Sequence, residues 1–355
     1  MLDFAGGVAQ SRGPVTDLHI KGRGSPDMAT VVRVHELGAP EVLRFDEMEV
    51  GAPGPGEVRI KVEAVGLNRS EAMYRAGRYP IKPALPTFIG YEGCGIIEAL
   101  GEGVTGFKEG DRVCVLPRFR LGDYGLWAMQ AIVPAYCLEP LPAGLTPAQG
   151  ASIWMQYMTA FAIIEVADVG IGDGVIIRAA SSSVGLAAIQ LTNWAGGISI
   201  AATRTHAKAD ALRAQGAAHV IATEEQDLVA EVMRITGGKG ARTAFDPVGG
   251  PYVETLAASL AERGILFIYG GLSETATPYP HWHAAFKGLS LRGWVASEIW
   301  NHPHRYENAR ARILQGLAEG HLKPVIDRTF RFDQLVEANA YLESNQQVGK
   351  VVVTM

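Results

Sequence analysis

Cysteine is scarce in this chain: Cys94, Cys114 and Cys137 are the three among 355 residues. The number is odd and no two stand in C-x-x-C spacing, which argues against a disulfide framework or thiolate metal cluster and for a reducing, cytoplasmic setting. Long apolar runs are missing too. No stretch approaches the ~18 uninterrupted residues that a membrane-spanning helix needs. Charge of one sign is not in excess: 32 Lys and Arg face 37 Asp and Glu, a net of −5. Neither a nucleic-acid partner nor an anionic membrane surface is therefore expected.

What is present suits an enzyme with two cores. Hydrophobic residues make up 48% of the chain and charged ones 19%, enough apolar side chains for two domains at this length. Residues 1–27 carry GG, RGP and GRGSP clusters with no apolar periodicity and no secretory h-region, so they read as a disordered extension. From 28 to about 150, TVVRVHEL, VLRFDEMEV, EVRIKVEAVGL, GCGIIEALGEG, DRVCVL and AIVPAYCLEPL predict short strands between Gly and Pro turns. That pattern makes a compact, partly open β-barrel. LTPAQGASIWMQYMTAFAIIEVA predicts two helices that lead into a second domain.

There strand and helix alternate. VIIRAA, ISIAAT, HVIAT, ARTAF, ILFIYGG and LSLRGWV are the strands, with KADALRAQG, LVAEVMRITGG and YVETLAASLAERG among the helices. Alternation calls for an α/β doubly wound parallel sheet with right-handed crossovers. Helices near 307–317 and 333–342 precede KVVVTM, a strand in need of a sheet. Placed on the first domain, it makes that domain discontinuous: 28–150 with 296–355, around 151–295.

The stretch that organises the chain is 175–196, VIIRAASSSVGLAAIQLTNWAG. Val175, Ile176 and Ile177 favour a buried strand. Ala180, Ser181, Ser182 and Ser183 have almost no side chain, and Val184 and Gly185 open a helix. Free N–H groups and the positive end of the helix dipole there suit a pyrophosphate. The turn is a relaxed G-x-G-x-x-G, with Ala180 and Ser182 in place of the first two glycines and Gly185 as the third. A plain strand–turn–helix is the alternative.

The end of the next strand decides between cofactors. An acid about 20 residues past the glycines holds the ribose 2′-hydroxyl of NAD, whereas cations accommodate the 2′-phosphate of NADP. No Asp or Glu occurs between Ser199 and Ala209. Thr203, Arg204, Thr205 and Lys208 stand there as hydroxyl and charge-assisted donors, so NADP(H) is expected. The bland reading is two solvated cations at a helix start. Asp246 and Val248 follow ARTAF, and Gly270 and Gly271 follow ILFIY. Both loops lie at carboxyl ends of strands, where such sheets bind ligands. Asp246 has a second reading as the cap of a helix starting near Pro251.

Taken together, VGLNRSEAMYRAGRYP, IGYEGCGIIEALGEGVTGFKEGDRV, AASSSVG, AFDPVGG and VGKVVV resemble the medium-chain dehydrogenase/reductase superfamily. The likeness is to its zinc-free, zeta-crystallin-like quinone oxidoreductase branch, and it covers residues 28–355. It implies a GroES-like barrel domain, a Rossmann domain and an active site between them. It places Asn68 beside the nicotinamide and substrate, Tyr79 on the cleft wall, and Glu71 at a family acid. Met73 replaces the family's other cleft tyrosine. Tyr91 is a further candidate; for both tyrosines a packed aromatic ring is the alternative.

Zinc-dependent members of the superfamily place ligands where Asn68, Tyr91 and Met155 stand. These cannot make a tetrahedral site, and Glu92 alone does not suffice, so no metal is expected. Two H-x-H pairs, His281/His283 and His302/His304, have no supporting ligand. The expected activity is NADPH-dependent, zinc-independent hydride transfer to a quinone or an α,β-unsaturated carbonyl. The alternatives are an enoyl-thioester reductase of the same fold and a non-enzymatic NADPH-binding structural or sensor protein. A homodimer is expected through residues 289–295, an apolar sheet edge that would otherwise lie bare.

Overall fold

The first half of the chain alternates as a half-buried sheet should, and a computed structural model, which describes residues 28–355, shows what the alternation builds. The extension expected at 1–27 lies outside the described residues. The strands in chain order are β1 (Met28–Val34), β2 (Leu43–Glu49), β3 (Glu57–Gly66), β4 (Thr87–Phe88), β5 (Gly93–Leu100), β6 (Arg112–Val115), β7 (Gln130–Pro134) and β8 (Leu138–Pro140). There follow β9 (Gly174–Arg178), β10 (Ile198–Thr203), β11 (His219–Ala222), β12 (Ala241–Asp246), β13 (Leu260–Ile268), β14 (Ser290–Gly293), β15 (Ile326–Arg331) and β16 (Lys350–Thr354).

In β3, Val58, Ile60, Val62 and Ala64 are buried while Lys61 between them is exposed, the period of two that one covered face demands. β3 is the hub of a seven-stranded sheet in the order β15-β16-β3-β5-β6-β8, with β7 also paired to β3. A small sheet, β2-β1-β4, leans on it through Val32 N–H to Trp127 O and Met129 N–H to Thr30 O. Together they form the partly open barrel. β16 runs antiparallel to β3, with Val352 opposite Gly66, and parallel to β15, so the last strand does join the first sheet.

The second sheet has the order β11-β10-β9-β12-β13-β14, and every pairing in it is parallel. β9 is buried from Gly174 to Ile177, as a strand covered on both faces must be. Counted from β9, the order is 3-2-1-4-5-6, which reverses between β9 and β12. Ligands of open α/β sheets bind at that reversal. No helix among the described residues is long and apolar enough to cross a membrane.

Several elements depart from expectation for local reasons. AIVPAYCLEPL divides into β7 and β8 because Pro134 has no N–H for the ladder and a single 3₁₀ turn follows it. Residues 147–165 form three short helices, not two: Pro147–Gly150, Trp154–Ala160 and Ala162–Glu165. Ser152 Oγ donates to Ala148 O at 2.8 Å at the first break, a back-bond that favours bending. The helix expected over YVETLAASLAERG stops at Ser259. Leu260 pairs with Ala241, and after a bulge with Arg263 at φ 56° Ile265 pairs with Thr243; strand pairing overrides the helix propensity of LAERG. A helix at Arg69–Arg75, unforeseen, is set off by Asn68 and Glu71. Near the end, Pro303 opens a helix that runs to Glu319 and stops at Gly320 in the left-handed region, longer than the 307–317 expected.

The strand expected over 289–295 is shorter, Ser290–Gly293. Trp294 turns into the core, its Nε1 donating to Thr159 O at 2.7 Å. β14 still ends the sheet, with no second neighbour among the described residues. Beside it the helix His281–Lys287 carries Trp282, 69% exposed, and Phe286, 82% exposed; Val295 is exposed as well. An open edge flanked by bare aromatic rings is a pairing surface. Sedimentation at micromolar concentration is expected to give a dimer. Phe286→Glu with Val295→Lys, both at exposed positions, is expected to give a monomer with the fold retained. A monomeric wild type would remove this expectation.

Candidate active site

The turn after β9 is built for close approach. Ala179 sits in the left-handed region at φ 50°. Ser182 caps the helix Ser183–Trp194, its hydroxyl accepting from Gly185 N–H at 3.0 Å. A Cβ on Gly185 would lie 2.5 Å from Ala180 O and 2.7 Å from Ala179 O, both backbone atoms. Only glycine lets helix and turn meet there, the packing role of the third fingerprint glycine. The N–H of Val184 has no acceptor among the described residues, and that of Ser183 faces the Gly349 carbonyl across an isolated bridge between Ser182 and Gly349. The start of this twelve-residue helix, with Val184 N–H unpaired, has the form of an anion cradle. A surface hollow of about 440 Å³ near Trp194 and His321 lies at the other end of this helix and takes no part.

At the end of β10, Arg204 is exposed and makes no hydrogen bond or ion pair through its side chain among the described residues. Thr203 is half-buried, and Thr205 caps a 3₁₀ turn toward Ala207. His206 pairs with Glu225. Lys208 behaves otherwise. Its ammonium donates to Ser181 Oγ at 3.1 Å, Asn345 O at 2.8 Å and Gln347 O at 2.8 Å. The last two belong to the segment before β16, which also reaches the turn through Gly349 N–H to Ser181 O at 2.9 Å.

Across the reversal, Asp246 ends β12. Its carboxylate accepts from Val248 N–H at 2.8 Å and Gly249 N–H at 3.0 Å and pairs with Arg178 at 3.2 Å. Burial pushes its pKa up against these partners. Asp246 thus shapes its own loop; the helix nearby begins at Val253 and is not capped by it. Gly270 is needed for closeness, since a Cβ there would lie 2.4 Å from Pro247 O. Ser273 N–H to Val248 O at 2.9 Å then joins the loops after β12 and β13. Gly271 is exposed beside them, with open space around it. The turn 179–185 and these two loops therefore flank the same switch point.

The floor of the barrel side is ionic and buried. Glu71 accepts from Asn68 N–H at 2.7 Å and Tyr91 N–H at 3.0 Å, tying two segments together. Lys350, the first residue of β16, donates to Asn68 Oδ1 at 2.7 Å and Glu92 Oε2 at 2.5 Å. Asn68 Nδ2 donates to Gly66 O at 3.1 Å, and Met155 N–H donates to Glu92 Oε1 at 2.8 Å. The Tyr91 hydroxyl is hydrogen-bonded to Ser70 Oγ at 2.5 Å. Asn68, expected beside the nicotinamide and substrate, Glu71, the family acid, and Tyr91, the further candidate, all have polar atoms bonded within the protein.

Tyr79 is the exception among the four. It is half-buried beside Tyr91, Phe119, Leu121, Ile81 and Met155, and its hydroxyl has no hydrogen-bond partner among the described residues. Burial raises its pKa above the usual tyrosine value, so it stays a neutral O–H donor at ordinary pH.

Residues 54–143 match the alcohol dehydrogenase GroES-like domain, and residues 215–353 match the zinc-binding dehydrogenase family. A quinone oxidoreductase of Pseudomonas aeruginosa is 30% identical over 329 residues, covering 92% of this chain and 99% of that protein. The chain belongs to the quinone oxidoreductase family of medium-chain dehydrogenases/reductases. A 2-haloacrylate reductase of Burkholderia sp is 28% identical, covering 92% of this chain and 99% of that protein. The crystal structure of the Escherichia coli quinone oxidoreductase complexed with NADPH matches with a TM-score of 0.85 at 27% identity, over 92% of this chain and 100% of that one. Barrel and doubly wound sheet are thus the GroES-like and Rossmann domains of this family.

One of the two family descriptions mentions zinc, and the donor set here does not fit a catalytic zinc. Asn68 Oδ1 is held by an ammonium, Tyr91 is bonded to Ser70, and Met155 offers a thioether. A cation from Lys350 already stands between Asn68 and Glu92. Among the described residues no three His, Cys, Asp or Glu side chains converge on a metal position. In this quinone oxidoreductase family member, sequence reasoning missed Lys350, Ser70 and the 345–349 segment. Lys350 carried a signal: a lysine leading into VVV enters a buried strand and must find a carboxylate.

Glu71 yields a pH test. Burial pushes its pKa from an ordinary 4.5 up to about 8, against the pull of two N–H donors and Lys350. The folded protein then keeps a proton that the unfolded chain releases near pH 4.5, so the contribution is fullest below that value and is lost as pH rises through about 8. Tm of the wild type should fall more steeply over that window than Tm of Glu71→Gln. Equal slopes would show that Glu71 ionises normally.

Proposed function

We propose that this protein is an NADPH-dependent, zinc-independent reductase of quinones or α,β-unsaturated carbonyl compounds. The observation that carries this reading is the pairing of an anion cradle at 180–185 with an unpaired Arg204 at the end of β10, where the strand itself ends in no acid and the nearby Glu225 carboxylate is taken up by His206. The cradle fits a dinucleotide: the unpaired Val184 N–H and the start of the helix suit the pyrophosphate, Arg204 the 2′-phosphate, and the loops at 246–250 and 270–273 the nicotinamide half. The Escherichia coli relative complexed with NADPH supports the cofactor. The Pseudomonas and Burkholderia relatives, named for a quinone and a 2-haloacrylate, support a conjugated acceptor.

When bound, the reduced cofactor supplies a hydride. The protein's part is orientation, water exclusion and a proton. Phe119, Leu121, Ile81 and Met155 form an apolar wall that accepts a flat, uncharged acceptor. The Tyr79 hydroxyl is the free donor on that wall. It hydrogen-bonds the carbonyl oxygen as negative charge gathers there and can pass its proton on, with water restoring it. Per turnover one hydride and one proton are added to the acceptor.

Steady-state kinetics with NADPH and NADH, against simple quinones and enones, test the reading. Wild type should prefer NADPH. Arg204→Ala should raise KM for NADPH about ten- to a hundredfold, the equivalent of one charge-assisted hydrogen bond, and leave NADH nearly unchanged. Tyr79→Phe should lower kcat by on the order of 10² with cofactor affinity intact. A preference for NADH, or an Arg204→Ala enzyme with the wild-type ratio, would overturn the cofactor assignment.

A further inference from the structure

Lys208 occupies the position that favours a 2′-phosphate, yet its side chain is already satisfied. An ammonium has three donors, and here Ser181 Oγ, Asn345 O and Gln347 O take them. Two of those acceptors come from the barrel domain, on the segment between the helix Leu335–Glu343 and β16. Asn345 stands in the left-handed region at φ 60°. Its carbonyl follows the carboxyl end of that helix, where the dipole favours a cation. The same segment is pinned by Gly349 N–H to Ser181 O at 2.9 Å and by Val348 N–H to Asp327 Oδ1 at 3.0 Å. Carbonyls and cation thus form a clasp between the two domains, directly over the nucleotide turn.

We propose that the 345–347 backbone competes with the cofactor's 2′-phosphate for the Lys208 ammonium, so that this barrel segment sets the strength of the NADPH preference. The proposal rests on the reading of the β10 end as the 2′-phosphate site. A phosphate is a stronger partner for an ammonium than a neutral carbonyl. Taking it up costs at least one clasp bond, because no fourth donor exists. Part of the phosphate's binding energy is therefore spent on releasing Asn345 O or Gln347 O. Arg204, with no such prior claim, pays no equivalent penalty. A cofactor without the phosphate leaves the clasp shut.

Asn345 gives the test. Valine is β-branched and disfavours the left-handed region, whereas glycine adopts it freely. Asn345→Val should swing the carbonyl off Lys208, and Asn345→Gly should keep it in place. The probes are adenosine 2′,5′-bisphosphate and adenosine 5′-monophosphate, titrated calorimetrically against the full-length protein, with amide exchange of 344–349 followed by mass spectrometry. Asn345→Val should bind the bisphosphate several-fold more tightly than wild type, bind the monophosphate equally, and show faster exchange in 344–349 before any ligand is added. Asn345→Gly should match wild type in all three. In wild type the bisphosphate, and not the monophosphate, should quicken exchange at Val348 and Gly349. A displaced segment in Asn345→Val with unchanged or weaker bisphosphate binding would overturn the proposal. So would a Lys208→Ala protein that exchanges like wild type in 344–349. A wild type that does not discriminate between the two probes would instead refute the phosphate site itself.

Discussion

The cleft depends on one buried contact, the Lys350 ammonium between Glu92 and Asn68. Lys350 is 1% exposed and Glu92 is fully buried, so each charge has lost its water and holds only the other and a few dipoles. Removing one partner of such a pair costs about 3–5 kcal/mol, because the other is left buried and uncompensated. The contact joins the last strand of the chain to the loop after β4 and to the helix at 69–75. Through Glu71 that helix is also bound to Tyr91. What stands there is thus a closed set of polar groups, next to an apolar cluster in which the Tyr79 hydroxyl has no partner among the described residues.

The turn and the floor divide the work differently. On the Rossmann side, backbone does the binding. Small residues at 180–183 and glycines at 185 and 270 let main-chain N–H groups come within reach of a ligand. On the barrel side, side chains fix geometry and few of them remain available. Under the proposed function, such a site relies more on orientation than on acid–base power.

Much of this was legible in the sequence, and the limit has a physical cause. Period-two burial in EVRIKVEAVG, the apolar run VII, and the small-residue turn are local patterns, and the strands and the cradle followed from them. The residues named one by one, Asn68, Glu71, Tyr79 and Tyr91, do meet in one region of the fold. What could not be read was which polar atoms remain unspent. That depends on partners far along the chain, such as Lys350 for Asn68, and Asn345 and Gln347 for Lys208. The halted helix at Ser259 has the same origin, since Leu260 answers to Ala241 and not to its own propensity.

The return of β16 to the first sheet has a consequence for how the protein is made. β3 is synthesised early, yet one of its neighbours in the ladder, β16, lies far later in the chain. Until then Glu92 and Asn68 lack their cation, and on the edge of β3 that β7 covers from Glu57 to Lys61 the stretch Ala64–Gly66 is unpaired. The Rossmann domain is built from contacts closer in sequence and lies wholly between the two barrel segments. It can close first, while the barrel must wait with an open edge. A chain cut before β16 lacks the keystone of its first domain, which makes the nascent barrel the stage at which a chaperone has most to do.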